Sequence, residues 1–145
     1  MARNYKQGKY TPSHPEKYIG DLTKIVYRSS WELETNKFFD NNPRILKWAS
    51  EEISIPYFNP VKRRMANYFP DYFVEYITKD GEIIKAIVEV KPLAQTRKNT
   101  SRNPRTKLYE DLTYAVNVSK WTEAQKWCDV RGLKFMLVTE ASIFK

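Results

Sequence analysis

Residues 69–91, FPDYFVEYITKDGEIIKAIVEVK, decide how this chain folds. Two runs rich in β-branched and aromatic residues flank Lys79-Asp80-Gly81. An Asp-Gly pair between such runs signals an antiparallel hairpin, because it supplies the backbone a tight turn needs. Side chains alternate along a strand, so Glu89 and Lys91 share a face. Asp71 opens the neighbouring strand and can meet them across the ladder. Ile87, Val88 and Val90 around them are apolar. Charges placed there cost free energy unless they are paired or bound to a metal. Such a local conflict is expected of a functional site. A cross-strand salt bridge on a solvent-facing sheet is the alternative for an isolated Glu-x-Lys triplet. Pro70-Asp71 on the adjacent strand and a glutamate on an upstream helix weigh toward chemistry. Two carboxylates suit a hard divalent cation. A lysine beside them can orient a water or help deprotonate it, which is equipment for cutting a phosphodiester.

Outward from this hairpin the chain alternates helix and strand patterns. Ser29 or Ser30 can cap a helix running to about Asn41, with Trp31, Thr35, Phe38 and Phe39 as its apolar stripe. Asn41-Asn42-Pro43 ends it. Residues 45–48 form a short apolar segment whose type stays open. Residues 53–58 alternate as a strand, and Lys62-Arg63-Arg64 reads as a basic connector. Strands follow over residues 69–78 and 83–91. A helical region spans about 106–131, with a break expected near Ser119 and Gly132 as its stop. Residues 134–139 read as a short, buried strand. The order α-β-β-β-α-β implies an α/β domain, a mixed sheet with helices packed on it. Residues 1–22, with Lys6, Lys9, Lys17, Pro12 and Pro15, read as a basic arm; residues 23–145 read as a single domain.

The 145 residues suffice for one buried core, and 41% hydrophobic residues support a folded chain. The net charge of +8 favours nucleic acid, an anionic membrane or an acidic protein as partner. Charges interrupt every apolar run well before the roughly 18 residues a membrane helix needs. The first twenty residues carry no secretory apolar core. One cysteine, Cys128, makes no internal disulfide, so a reducing compartment fits. It reads as a buried helix residue and not as a nucleophile. A single histidine, His14, excludes His-rich zinc sites and reads as incidental. Trp31, Trp48, Trp121 and Trp127 sit at helical or core spacing and read mainly as packing.

Pro70-Asp71 followed by Glu89-Val90-Lys91 resembles the signature of the PD-(D/E)xK nuclease superfamily. Residues 27–32, YRSSWE, resemble the opening of a narrower group. That group holds the head completion nucleases of T4-like tailed bacteriophages and the amino-terminal endonuclease domain of Tn7-type transposases. Ile55-Pro56-Tyr57 and residues 135–140, FMLVTE, extend the resemblance over most of residues 25–140; the start Gly8-Lys9-Tyr10-Thr11-Pro12 looks more like the phage group. The resemblance implies a restriction-endonuclease-like sheet flanked by helices and a Mg²⁺-dependent deoxyribonuclease, with Mn²⁺ able to substitute. It assigns Asp71 and Glu89 as metal carboxylates and the Val90 carbonyl as a further ligand. Glu32 becomes the helix glutamate that completes the site, with Glu34 as rival, and Lys91 the lysine that positions the attacking water. It further implies action in head completion after DNA packaging, in the host cytoplasm or on the virion, with portal or neck proteins as partners. A homodimer would suit a paired cut on two strands.

Arg63, Arg64, Arg97, Lys98, Arg102, Arg105 and Lys107 flank the two motifs and read as a surface for duplex phosphates rather than bases. Solubilising charge is the alternative. Two other functions compete with the phage nuclease: a non-catalytic DNA-binding virion component of the same fold, and a junction-resolving or repair nuclease. If about five of the basic residues meet phosphates, duplex affinity should fall with salt at a log–log slope of roughly −4 to −5. Fluorescence anisotropy across a salt series measures it, and a slope near zero would remove the phosphate surface.

Overall fold

The computed structural model describes residues 7–91 and 103–139. In chain order these form β1 (Gly8–Lys9), β2 (Val26–Tyr27), α1 (Ser30–Asn41), β3 (Ile45–Ser50), β4 (Ile55–Asn59), β5 (Arg64–Tyr68), β6 (Tyr72–Ile77), β7 (Ile83–Val90), α2 (Pro104–Arg131) and β8 (Lys134–Val138). The main sheet has the order β3-β6-β7-β8. Its first three strands are antiparallel neighbours, and β8 joins β7 in parallel after the α2 crossover. The architecture is therefore mixed α/β, as the element pattern implies.

The hairpin at its centre forms as the Asp80-Gly81 turn requires. Gly81 adopts φ 84°, and Thr78 N–H donates to the Glu82 carbonyl at 2.8 Å. The expected strand count is corrected. Residues 45–48, open by sequence, belong to β3, an edge of the sheet. The basic connector is instead part of a second hairpin, β4–β5, which stands apart from the main sheet: Lys62 and Arg63 lie in its turn and Arg64 opens β5. Asn59 builds that turn: its Oδ1 accepts from Val61 and Lys62 amides at 2.9 and 3.0 Å. The five residues of β5, RMANY, carry no alternation that would mark a strand. Their pairing with β4 makes them one.

α1 begins at Ser29, whose Oγ accepts from the Glu32 amide at 3.1 Å. Its buried face differs from the expected stripe: Thr35, Asn36, Phe39 and Asp40 are buried, whereas Phe38 is exposed. Three of these buried side chains are polar, and each makes at least one hydrogen bond: Thr35 Oγ1 donates to the Trp31 carbonyl at 2.9 Å, although the Asn36 amide nitrogen has no partner among the described residues. Tyr72 donates its hydroxyl to Asn36 Oδ1 at 2.6 Å. Asp40 accepts from the Tyr10 hydroxyl at 2.7 Å and from the Ser13 and His14 amides at 2.6 and 3.0 Å. The segment read as a basic arm is thus, over its described part, folded against α1 and β3. Lys17 Nζ donates to the Asp40 and Asn42 carbonyls at the end of α1, where a cation complements the helix dipole. Tyr10 and Tyr18 pack edge-on against Trp48, which is fully buried. His14, read as incidental, contributes its amide to this anchor.

α2 runs 28 residues without the break expected near Ser119. Ser119 Oγ donates instead to the Phe58 carbonyl at 2.6 Å, tying the helix to the β4–β5 ribbon. Gly132 stops the helix in the left-handed conformation, φ 69°. β8 is a half-exposed edge strand and not the buried one expected, since nothing pairs beyond it among the described residues. Two apolar clusters result, one between the sheet and α1 around Trp48, the other among α2, the ribbon and Phe135. Cys128 lies buried and free in α2. No helix among the described residues is long and apolar enough to cross a membrane.

Burial opposes ionisation of Asp40, but the Tyr10, Ser13 and His14 hydrogen bonds outweigh it and hold its pKa below the ordinary 3.8. Asp40→Ala should lower the unfolding free energy by about 2–4 kcal/mol at pH 7, because it strips three donors of a buried charged acceptor. A depressed carboxyl pKa stabilises above the unfolded value and ceases to do so as pH falls through the folded one. The deficit of the variant should therefore shrink at pH 3. Denaturant titrations at the two pH values check both.

Candidate active site

The β6–β7 register pairs Tyr72 with Val88, so Asp71, one residue before β6, falls opposite Glu89 at the end of the ladder. Pro70 before it is fully buried. Val90 N–H donates to Asp71 Oδ2 at 2.8 Å, and Asp71 N–H approaches Glu89 Oε1 at 3.3 Å. Glu89 is only 5% exposed. It is held by the Tyr68 hydroxyl at 2.7 Å and by Lys91 Nζ at 3.3 Å. The Asp71 carbonyl accepts from the Glu51 amide at 3.0 Å. Glu51 is a non-glycine residue at φ 54°, a strained conformation that recurs around functional sites. Its carboxylate pairs with Arg28, just ahead of the α1 cap.

Glu32 reaches the site from the first turn of α1. With Ser29, Trp31, Thr35, Asp71, Tyr72 and Val90 it lines a pocket of about 130 Å³. Glu34, the rival, is exposed and pairs with Lys37 at 3.7 Å. A strand residue turns its N–H and C=O toward the same neighbour. The Val90 carbonyl therefore lies on the Asp71 side of β7.

Burial, and then the charge of Glu89, push the Asp71 pKa up to about 7, against the Val90 amide and Lys91. Burial also raises the Glu32 pKa, although the Arg28 backbone hydrogen bond and charge oppose it. Burial and the Glu89 charge drive the Tyr68 phenol far above its ordinary value, so it remains a donor. Tyr68 has no counterpart in the sequence reading. A tyrosine three residues ahead of Asp71 looks like any core residue, and only its reach to Glu89 gives it a role.

The expectation that Glu32, Asp71 and Glu89 converge on one ion needs correction. Among the described residues no three His, Cys, Asp or Glu side chains lie close enough to hold a metal. Strand alternation explains the separation. Val88 and Val90 pack toward α1, so Glu89 faces the α2 side, where Tyr68 and Lys91 engage it. Asp71, at the strand end, meets both sides. The donor set around the pocket still fits a hard cation: Glu32, Asp71 and the Val90 carbonyl offer oxygen alone, which suits Mg²⁺ or Mn²⁺.

Arg63, Arg64, Arg105 and Lys107 are not among the residues lining this pocket. Arg63 and Arg64 sit at the far end of the ribbon, about 13 Å along β5 from Tyr68 by strand rise. Arg105 and Lys107 lie exposed on the first turn of α2, with Lys107 paired to Asp111 at 3.0 Å. Arg97, Lys98 and Arg102 lie outside the described residues.

Comparison with known proteins agrees with the resemblance carried by the motifs. Residues 42–140 match the family described as TnsA-like endonuclease N terminal. The chain is 35% identical over 139 residues to the head completion nuclease of Enterobacteria phage T4, covering 92% of this chain and 90% of that protein. No solved structure gives a significant match.

Asp71→Asn removes a charge that both burial and Glu89 oppose, while an amide oxygen can still accept from Val90. In EDTA at pH 8 this variant should be more stable than wild type by about 1–3 kcal/mol, as happens when a site sacrifices stability for function. Thermal melts of the two proteins in EDTA measure the difference.

Proposed function

The chain belongs to the TnsA-like endonuclease N-terminal family, and from that premise we propose that it is a metal-dependent DNA endonuclease hydrolysing phosphodiester bonds in phage head completion. The observation that carries this reading is the union of Asp71, Glu89 and Lys91 at one end of the β6–β7 ladder, joined by backbone-to-carboxylate hydrogen bonds and an ion pair. Similarity to the T4 head completion nuclease over nearly the whole chain supports the head-completion setting. The proposal places that action in the host cytoplasm after packaging or on the finished particle, beside portal or neck proteins. The mixed sheet between α1 and α2 supports a restriction-endonuclease-like fold.

In this reading Asp71, Glu32 and the Val90 carbonyl, which share one pocket, are the groups that would hold Mg²⁺, while Glu89, on the other face of β7, holds Lys91 beside them. The bound ion would supply charge neutralisation at the phosphate and a more acidic water. Lys91, a quarter exposed and 3.3 Å from Glu89, orients the attacking water and offsets negative charge as it builds on the phosphate. Tyr68 keeps Glu89 fixed. Arg63, Arg64, Arg105 and Lys107, which do not line the pocket, would contact flanking duplex phosphates without reading bases. Arg97, Lys98 and Arg102 are proposed to join them.

One observation favours a second reading, a DNA-binding virion component without turnover. Glu32 and Glu89 lie on different faces of β7, and Glu89 is already engaged. Cleavage assays separate the two. Supercoiled plasmid with Mg²⁺ should be cut by wild type and spared in EDTA. Asp71→Ala and Lys91→Ala should each lose at least about 100-fold, the scale of losing a group that acts on the transition state, while Arg102→Ala should stay near wild type at low salt. Wild-type rates from Asp71→Ala would remove the site. Absence of turnover on supercoiled, linear and branched DNA would establish the second reading.

A further inference from the structure

Lys120 projects from the middle of α2 toward the same end of the sheet. Its Nζ lies 5.7 Å from the Tyr57 ring centroid and 5.6 Å from that of Tyr68. Tyr68 is the residue whose hydroxyl holds Glu89 at 2.7 Å. The ammonium therefore rests on the ring that positions the central carboxylate. None of the ion pairs among the described residues includes Lys120. A half-buried ammonium without a carboxylate partner is costly. Two aromatic faces offset part of that cost. Burial lowers its pKa, the charge of Lys91 acts in the same direction, and Glu89 opposes them.

The two faces of β7 thus differ in charge. On the α1 side Glu32 and Asp71 share a pocket. On the α2 side Lys91 and Lys120 stand around one carboxylate, Glu89, leaving one positive charge in excess. A phosphodiester arriving at the strand end would meet acids on one flank and two ammonium groups on the other. We propose that Lys120 is a second phosphate-contacting lysine of the site, donating to a non-bridging oxygen of duplex DNA on the α2 side, beside Lys91. This rests on the nuclease reading for its substrate. A lysine serves such a contact as a point charge on a flexible stem, without bidentate geometry. The competing role is purely structural, a stem that covers the Tyr57 and Tyr68 rings.

Two variants separate these roles. Lys120→Met keeps a long apolar stem over the rings and removes the charge; Lys120→Arg keeps the charge. Duplex binding is measured in EDTA by anisotropy across a salt series, single-turnover cleavage in Mg²⁺, and folding by thermal melt. Lys120→Met should melt at or above the wild-type temperature. Its log–log salt slope should be shallower than wild type by about 0.9, the value for one lost phosphate contact. Cleavage should fall at least about tenfold, the scale of one charge-assisted hydrogen bond. Lys120→Arg should restore the slope and most of the rate. A Met variant with the wild-type slope overturns the inference whatever its rate, as does a wild type that binds no duplex. A shallower slope in a protein that cuts no DNA would instead retain the contact and overturn the nuclease reading.

Discussion

The antiparallel ladder between β6 and β7 is the constraint on which the rest depends. It runs from Ile77 opposite Ile83 to Tyr72 opposite Val88. A shift of one residue would send every side chain of β7 to the other face. The Asp80-Gly81 turn fixes the register at one end. At the other, Asp71 accepts from the Val90 amide and Glu89 lies against the Asp71 amide, so the catalytic candidates themselves close the ladder. Position and chemistry are thereby one matter: the groups that define the strand end are those that carry charge there.

That arrangement is costly. Glu89 is nearly sealed from solvent, and Asp71 feels both burial and the charge of its neighbour. The surroundings limit the cost with one phenol and one ammonium on Glu89 and one backbone amide on Asp71. Stability comes from elsewhere, in the aromatic packing around Trp48 and the anchor at Asp40. The anchor joins the N-terminal segment to the end of α1, and so holds the helix whose first turn presents Glu32. The site is thus supported from both flanks, by α1 and the N-terminal segment on one and by α2 with the ribbon on the other.

Several elements were legible because their signals are local. Ser29 as a cap, Gly132 as a stop, and Asp80-Gly81 as a hairpin turn each act through their own backbone, and each took the expected form. β5 was not legible, because RMANY has neither alternation nor a β-rich composition and becomes a strand only by pairing with β4. The buried face of α1 was misjudged for a similar reason. Asn36 and Asp40 look like solvent-facing residues until Tyr72 and the N-terminal segment supply their partners. Lys120 carries no mark in the chain; only its place over Tyr57 and Tyr68 distinguishes it from the other lysines.

Spacing along the chain determined which charged residues could meet: a tight turn and a period of two suffice to bring Asp71, Glu89 and Lys91 to one strand end. It also carried the family, since the ordered motifs are themselves local patterns. The tertiary structure alone decided which face each group takes and what holds it there. Glu32 enters from one side, Glu89 turns to the other, Tyr68 reaches it from the ribbon, and Lys120 arrives from α2. The physical reason is that alternation fixes only relative direction along a strand, whereas packing of helices and ribbon on the two faces determines what each side chain meets.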